Sequence, residues 1–146
     1  MELVQHLVST YDSKTLPWPE TIVMPIGDVQ CGVPQCDEDR LRHHIEWGLE
    51  HNAFFLGMGD YADMANPTDR KKLASANLND TTTQAITEKA EADVERFLTL
   101  VKGTEGKWLG LLQGHHYMTF SDGTTSDTRI ANALGAPFLG DSAIVR

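Results

Sequence analysis

Three short apolar runs in this chain each end in glycine followed by a side chain able to hold a divalent metal. TIVMPIGD closes on Gly27-Asp28, AFFLGMGD on Gly59-Asp60, and WLGLLQGH on Gly114-His115. Two carboxylates and an imidazole form a mixed oxygen and nitrogen donor set, which suits Mn, Fe, Zn or Ni better than Ca or Mg alone. Two metals bridged by one carboxylate can clamp a phosphoryl group and lower the pKa of a bound water. The preceding glycines serve the same end: without a Cβ, the chain can turn sharply and let a ligand approach the backbone.

Side chains so far apart in sequence converge only if the fold aligns them. In open α/β sheets, sites form at the carboxyl ends of the strands. The runs at 21–26, 53–58 and 108–112 read as such strands, rich in β-branched and apolar residues. A fourth starts at Pro137–Leu139, and Ile144-Val145 reads as the start of a fifth. Between them lie three amphipathic segments. Asp37 to about His51 opens on Asp37-Glu38-Asp39, acids suited to the positive end of a helix dipole, and carries Leu41, Ile45, Gly48 and Leu49 on one face. Gln84 to about Lys102 carries a stripe of Ile86, Ala90, Val94, Phe97, Leu98 and Val101, with Gly103 and Gly106 as its stop. The third runs from about Thr125 to Leu134 and closes on Gly135. The polar stretch 66–83 reads as a long surface loop with a short helix near 70–76. This β-loop-α alternation predicts a layered α/β domain with a mostly parallel sheet over 21–146, after a leader at 1–20 where Pro17 and Pro19 bar a helix around Trp18.

The 146 residues suit one domain, and no apolar run approaches membrane-spanning length. The opening segment lacks the basic and apolar regions of a secretory signal, so the expectation is a cytoplasmic protein. Cys31 and Cys36 stand alone as C-x4-C and read as free thiols rather than a zinc knuckle. A net charge of −9 argues against a broad basic surface for nucleic acid. It also repels phosphate substrates unless bound cations reverse the local sign.

Read together, Gly27-Asp28-Val29-Gln30, Gly59-Asp60-Tyr61-Ala62-Asp63 and Gly114-His115-His116-Tyr117 resemble the successive motifs of the calcineurin-like metallophosphoesterases. That family carries Asp-x-His, Gly-Asp-x-x-Asp and Gly-Asn-His-Asp/Glu in this order. The runs IGDVQCGVPQCDEDRL and LGAPFLG are similar to phage and bacterial members. The resemblance spans about Ile22 to the C-terminus. It implies an α/β/β/α sandwich of which this chain supplies the first half, and a reaction in which metal-bound hydroxide hydrolyses a phosphate monoester or diester, with nucleotides or nucleic acid among the substrates. It further implies that Asp28, Gln30, Asp60 and His115 hold two divalent metal ions, with Asp60 as the bridge. His116 would assist the leaving oxygen and Asp63 would orient His116.

The departures from the family are specific. Gln30 stands where the family has histidine and His115 where it has asparagine. The downstream histidines have no counterpart before Arg146, which reads as a truncation. A non-catalytic binding or scaffold module with a degenerate metal site is therefore the alternative. A nucleotide-binding domain lacks support, because neither G-x-G-x-x-G nor Gly-Lys-Ser/Thr occurs. His43 and His44 read as a solvent-facing helical pair, and Trp47 and Trp108 as packing residues.

Overall fold

The structure, a computed structural model, describes residues 20–64, 71–72, 75–76 and 79–143. The leader and the expected start of a fifth strand lie outside the described residues. Among the described residues four strands form: β1 (Val23–Ile26), β2 (Phe54–Gly57), β3 (Trp108–Leu112) and β4 (Phe138–Gly140). They lie side by side in sequence order, and every pair is parallel. Parallel neighbours need a crossover between them. The crossovers carry α1 (Glu38–Glu50), α2 (Asp80–Leu100) and α3 (Ser126–Ala133). The layered α/β architecture expected from the alternation is the one observed.

Sequential order and right-handed crossovers put all three helices on one face of the sheet. Accordingly, α1 packs on α2 and α2 on α3. The strands show the matching two-residue period. Ile26, Phe55 and Leu111 are buried against Leu41 and Ile45 of α1, Val94 and Phe97 of α2, and Ile130 of α3. Val23 and Pro25 point the other way and are exposed. The register then sets the rim: Ile26 pairs with Gly57, Gly57 with Leu111, and Leu111 with Phe138. All four strands therefore end at nearly one level, and the loops leaving them meet.

Local signals account for the helix ends. The Asp37 carboxylate accepts from Arg40 N at 3.0 Å and caps α1. Thr125 and Thr128 form a reciprocal capping box at the start of α3. Helix α2 begins four residues before the expected Gln84, because Asn79 caps it by accepting from Thr82 N at 2.8 Å. The run Asp80–Thr83, expected as loop, is its first turn. Thr83 and Thr87 hydroxyls bond carbonyls four residues back, which lets these poor helix formers stay in the helix. Near 70–76, Lys71, Lys72 and Ser75 are helical. Trp108 is fully buried as expected, whereas Trp47 is 41% exposed and stacks on His51 at the surface of α1.

Candidate metal centre

The loops after β1 and β2 are laced together by backbone hydrogen bonds. Asp28 N donates to Gly59 O, Gln30 N to Asp60 O (both 3.0 Å), and Cys31 N to Tyr61 O at 3.1 Å. Asp63 N returns one to Cys31 O at 2.8 Å. Continuing a ladder around a turning rim forces unusual backbone. Asp28, Gln30 and Asp60 adopt φ of 53°, 51° and 53°, and Asn52 is the remaining non-glycine with positive φ among the described residues. Left-handed backbone is disfavoured for a residue with a Cβ, more so for Gln than for Asp, and such strain concentrates at functional sites.

The glycines are required by contact. A Cβ on Gly27 would stand 2.7 Å from Met58 Cβ, and one on Gly59 2.8 Å from Gly114 Cα. On Gly114 it would fall 2.2 Å from both the backbone nitrogen and Oδ1 of Asp60. The three strand ends thus touch backbone to backbone, which brings the residue after each glycine to one place.

There, Asp60 Oδ1 accepts from the backbone N–H groups of His115 and His116. Two N–H groups aimed at one oxygen fix the orientation of the carboxylate. Gln30 Nε2 donates to Asp28 Oδ1 at 3.0 Å. His116 Nδ1 lies 2.8 Å from Asp63 Oδ1, the contact expected between these two. Asp28, Asp60 and His115 line one cavity of about 260 Å³. Gln30 reaches that cavity only through Asp28, and the Asp63–His116 pair lies outside its lining.

Three further residues complete the setting. Asp127, 2% exposed, accepts from Gly114 N at 2.8 Å and from Ser126 Oγ at 3.1 Å, so a buried carboxylate grips the loop that carries His115. Tyr61 is fully buried and donates to Leu112 O at 2.8 Å, joining the β2 and β3 ends, and burial pushes its phenol well above the usual range. Asp141 also lines the cavity. Its signal stood in the sequence, because Gly140-Asp141 repeats the strand-glycine-acid pattern at the end of β4. Asp127 had no such signal, since an acid in the first turn of a helix is ordinary.

The donor types suit a divalent cation. Their spacing does not close around one: among the described residues no group of three or more His, Cys, Asp or Glu side chains is gathered so as to hold a metal ion. No helix among the described residues is long and apolar enough to cross a membrane. No family model, no curated protein and no solved structure matches this chain.

Proposed function

We propose that the chain is a metal-dependent phosphoesterase of the calcineurin-like type, hydrolysing phosphate esters at the rim formed by the β1, β2 and β3 ends. The observation that carries this reading is the convergence of Asp28, Asp60 and His115 on one cavity, with Asp28, Gln30 and Asp60 held in strained backbone. Asp28, Asp60 and His115 would hold the metal, with Gln30 as a weaker amide donor. When bound, a divalent cation supplies Lewis acidity toward water and phosphoryl oxygen. The chain's own contribution is positional. The N–H groups of His115 and His116 keep the Asp60 carboxylate aimed. Asp63 holds the His116 ring by Nδ1, which leaves Nε2 for a proton to the leaving oxygen.

The test is hydrolysis of bis(p-nitrophenyl) phosphate and p-nitrophenyl phosphate with Mn2+, Ni2+ or Zn2+, for the native chain and Asp60→Asn. Metal-dependent turnover that falls by about a hundredfold or more in the variant is expected. No turnover together with no metal uptake would sink the reading.

A second reading has its own support. Gln30 turns its N–H, rather than its carbonyl, toward Asp28, and the donors stand apart. On that reading the fold is a binding or scaffold module that takes up at most one metal weakly. Metal uptake without turnover identifies it.

A further inference from the structure

Both cysteines of the chain, Cys31 and Cys36, lie in the short connection from β1 to α1. Two backbone bonds fold that connection onto itself: Val33 N donates to Gln30 O at 3.4 Å, and Cys36 N to Val33 O at 3.1 Å. Gly32 turns it at φ 110°, where a Cβ would stand 2.9 Å from both carboxylate oxygens of Asp93. Helix α2 therefore holds the turn closed from outside. The fold brings the two thiols side by side, in direct side-chain contact, and both are free. Their access differs. Cys31 is 0% exposed within the core, whereas Cys36 packs at the edge of that core and is only partly buried. Among the described residues no third His, Cys, Asp or Glu joins them to hold a metal ion. Two adjacent thiols of unequal access suit thiol–disulfide exchange, the open one reacting first and the buried one resolving.

We infer that Cys31 and Cys36 are a reversible redox pair that takes small-molecule disulfides: Cys36 reacts first and Cys31 closes an internal bridge. The Cys36 sulfur bonds to one sulfur of the reagent, the reagent's S–S bond breaks, and the departing thiol carries off the Cys36 proton. The Cys31 sulfur, beside the mixed disulfide, then bonds to the Cys36 sulfur, and the second reagent thiol leaves with the Cys31 proton. The chain is oxidised by two electrons and one disulfide is reduced to two thiols. The bridge has a structural consequence. Cys31 N donates to Tyr61 O and Cys31 O accepts from Asp63 N, so Cys31 is the rung joining the loops after β1 and β2. Cys36 precedes Asp37, the N-cap of α1. Oxidation therefore fastens the start of α1 to that rung and closes a loop in the unfolded chain, which stabilises the fold.

The test treats the native chain, Cys31→Ala and Cys36→Ala with oxidised glutathione and follows intact mass and peptide maps. The native chain should end as a monomer lighter by two hydrogens, with Cys31 and Cys36 linked and no glutathione retained. Cys31→Ala should hold one glutathione on Cys36, and Cys36→Ala should react at least about tenfold more slowly. Dithiothreitol should restore the starting mass. The oxidised native chain should unfold at a higher urea concentration than the reduced one. Stable glutathione adducts on the native chain without an internal bridge, cross-linked dimers as its main product, or a lower urea midpoint after oxidation each overturn the inference. So does a Cys36→Ala chain that reacts as fast as Cys31→Ala. The native-chain readouts decide the matter even where a variant fails to fold.

Discussion

Gly114 shows how much of the rim depends on single atoms. The space its Cβ would need is filled by the nitrogen and carboxylate of Asp60, 2.2 Å away. Neither neighbour can retreat, since Gln30 N is bound to Asp60 O and two N–H groups hold Oδ1. Gly114→Ala should therefore cost at least about 2 kcal/mol in urea denaturation. Gly123→Ala, whose Cβ would meet nothing but whose φ is 81°, should cost about 1 kcal/mol. Equal losses would show that the strand ends do not touch. Cys31, one residue beyond Gln30, carries a pH signature. Burial foremost, then the neighbouring Cys36, push its thiol from the usual 9.0 up to about 12. The folded chain thus keeps a proton that the unfolded chain gives up near pH 9, so stability falls as pH rises from about 9 toward 12. Urea denaturation at about pH 8 and about pH 10.5 should show a smaller alkaline loss for Cys31→Ala than for the native chain. An identical loss would mean that Cys31 is not buried.

At the scale of elements, periodicity and the glycine stops were legible because they are local. The stripe Leu41, Ile45, Gly48 is the buried face of α1, and Ala90, Val94, Phe97 that of α2. What was not legible is polar and tertiary. Asp93 sits on the buried face of α2 at 5% exposure, paired with Lys89 and pressed against Gly32 of the β1–α1 loop. Nothing in a helical pattern announces a buried acid packed beside a loop glycine. Asp141 is a different case: its strand was read from the sequence, and the Gly140-Asp141 that closes it repeats the pattern of the other strand ends. The connection from α2 to β3 offers a direct test of such hidden polar order. Thr104, fully buried, donates to Val101 O at 2.6 Å and accepts from Trp108 Nε1 at 2.8 Å. Thr104→Val keeps the shape and takes the indole's acceptor away. A loss of about 1–3 kcal/mol is expected by urea denaturation, because the buried N–H loses the hydroxyl to which it donates. A change under about 0.5 kcal/mol would show that water reaches the indole.

For the whole molecule, the order β1-β2-β3-β4 has a consequence that no single element carries. Walking across a sheet in one direction with right-handed crossovers loads every helix onto one face. Parallel sheets are ordinarily covered on both faces. Here the face away from the helices shows Val23 at 41% exposure, with Pro25 exposed between Met24 and Ile26. Net charge and composition cannot reveal this, since they average over both faces. The rim is unaffected, because its loops are fastened to one another and to Asp127 from the helix side. The exposed positions on this face can therefore be probed without disturbing the site. Val23→Lys should change the free energy of unfolding by less than about 0.5 kcal/mol, as for an ordinary surface position. Ile26→Lys, on the opposite face and 5% exposed, should prevent folding or cost more than about 4 kcal/mol. A loss of several kcal/mol for Val23→Lys would instead mean that this face is packed in solution. The two substitutions differ by three positions in one strand, so the contrast between them measures how one-sided the sheet is.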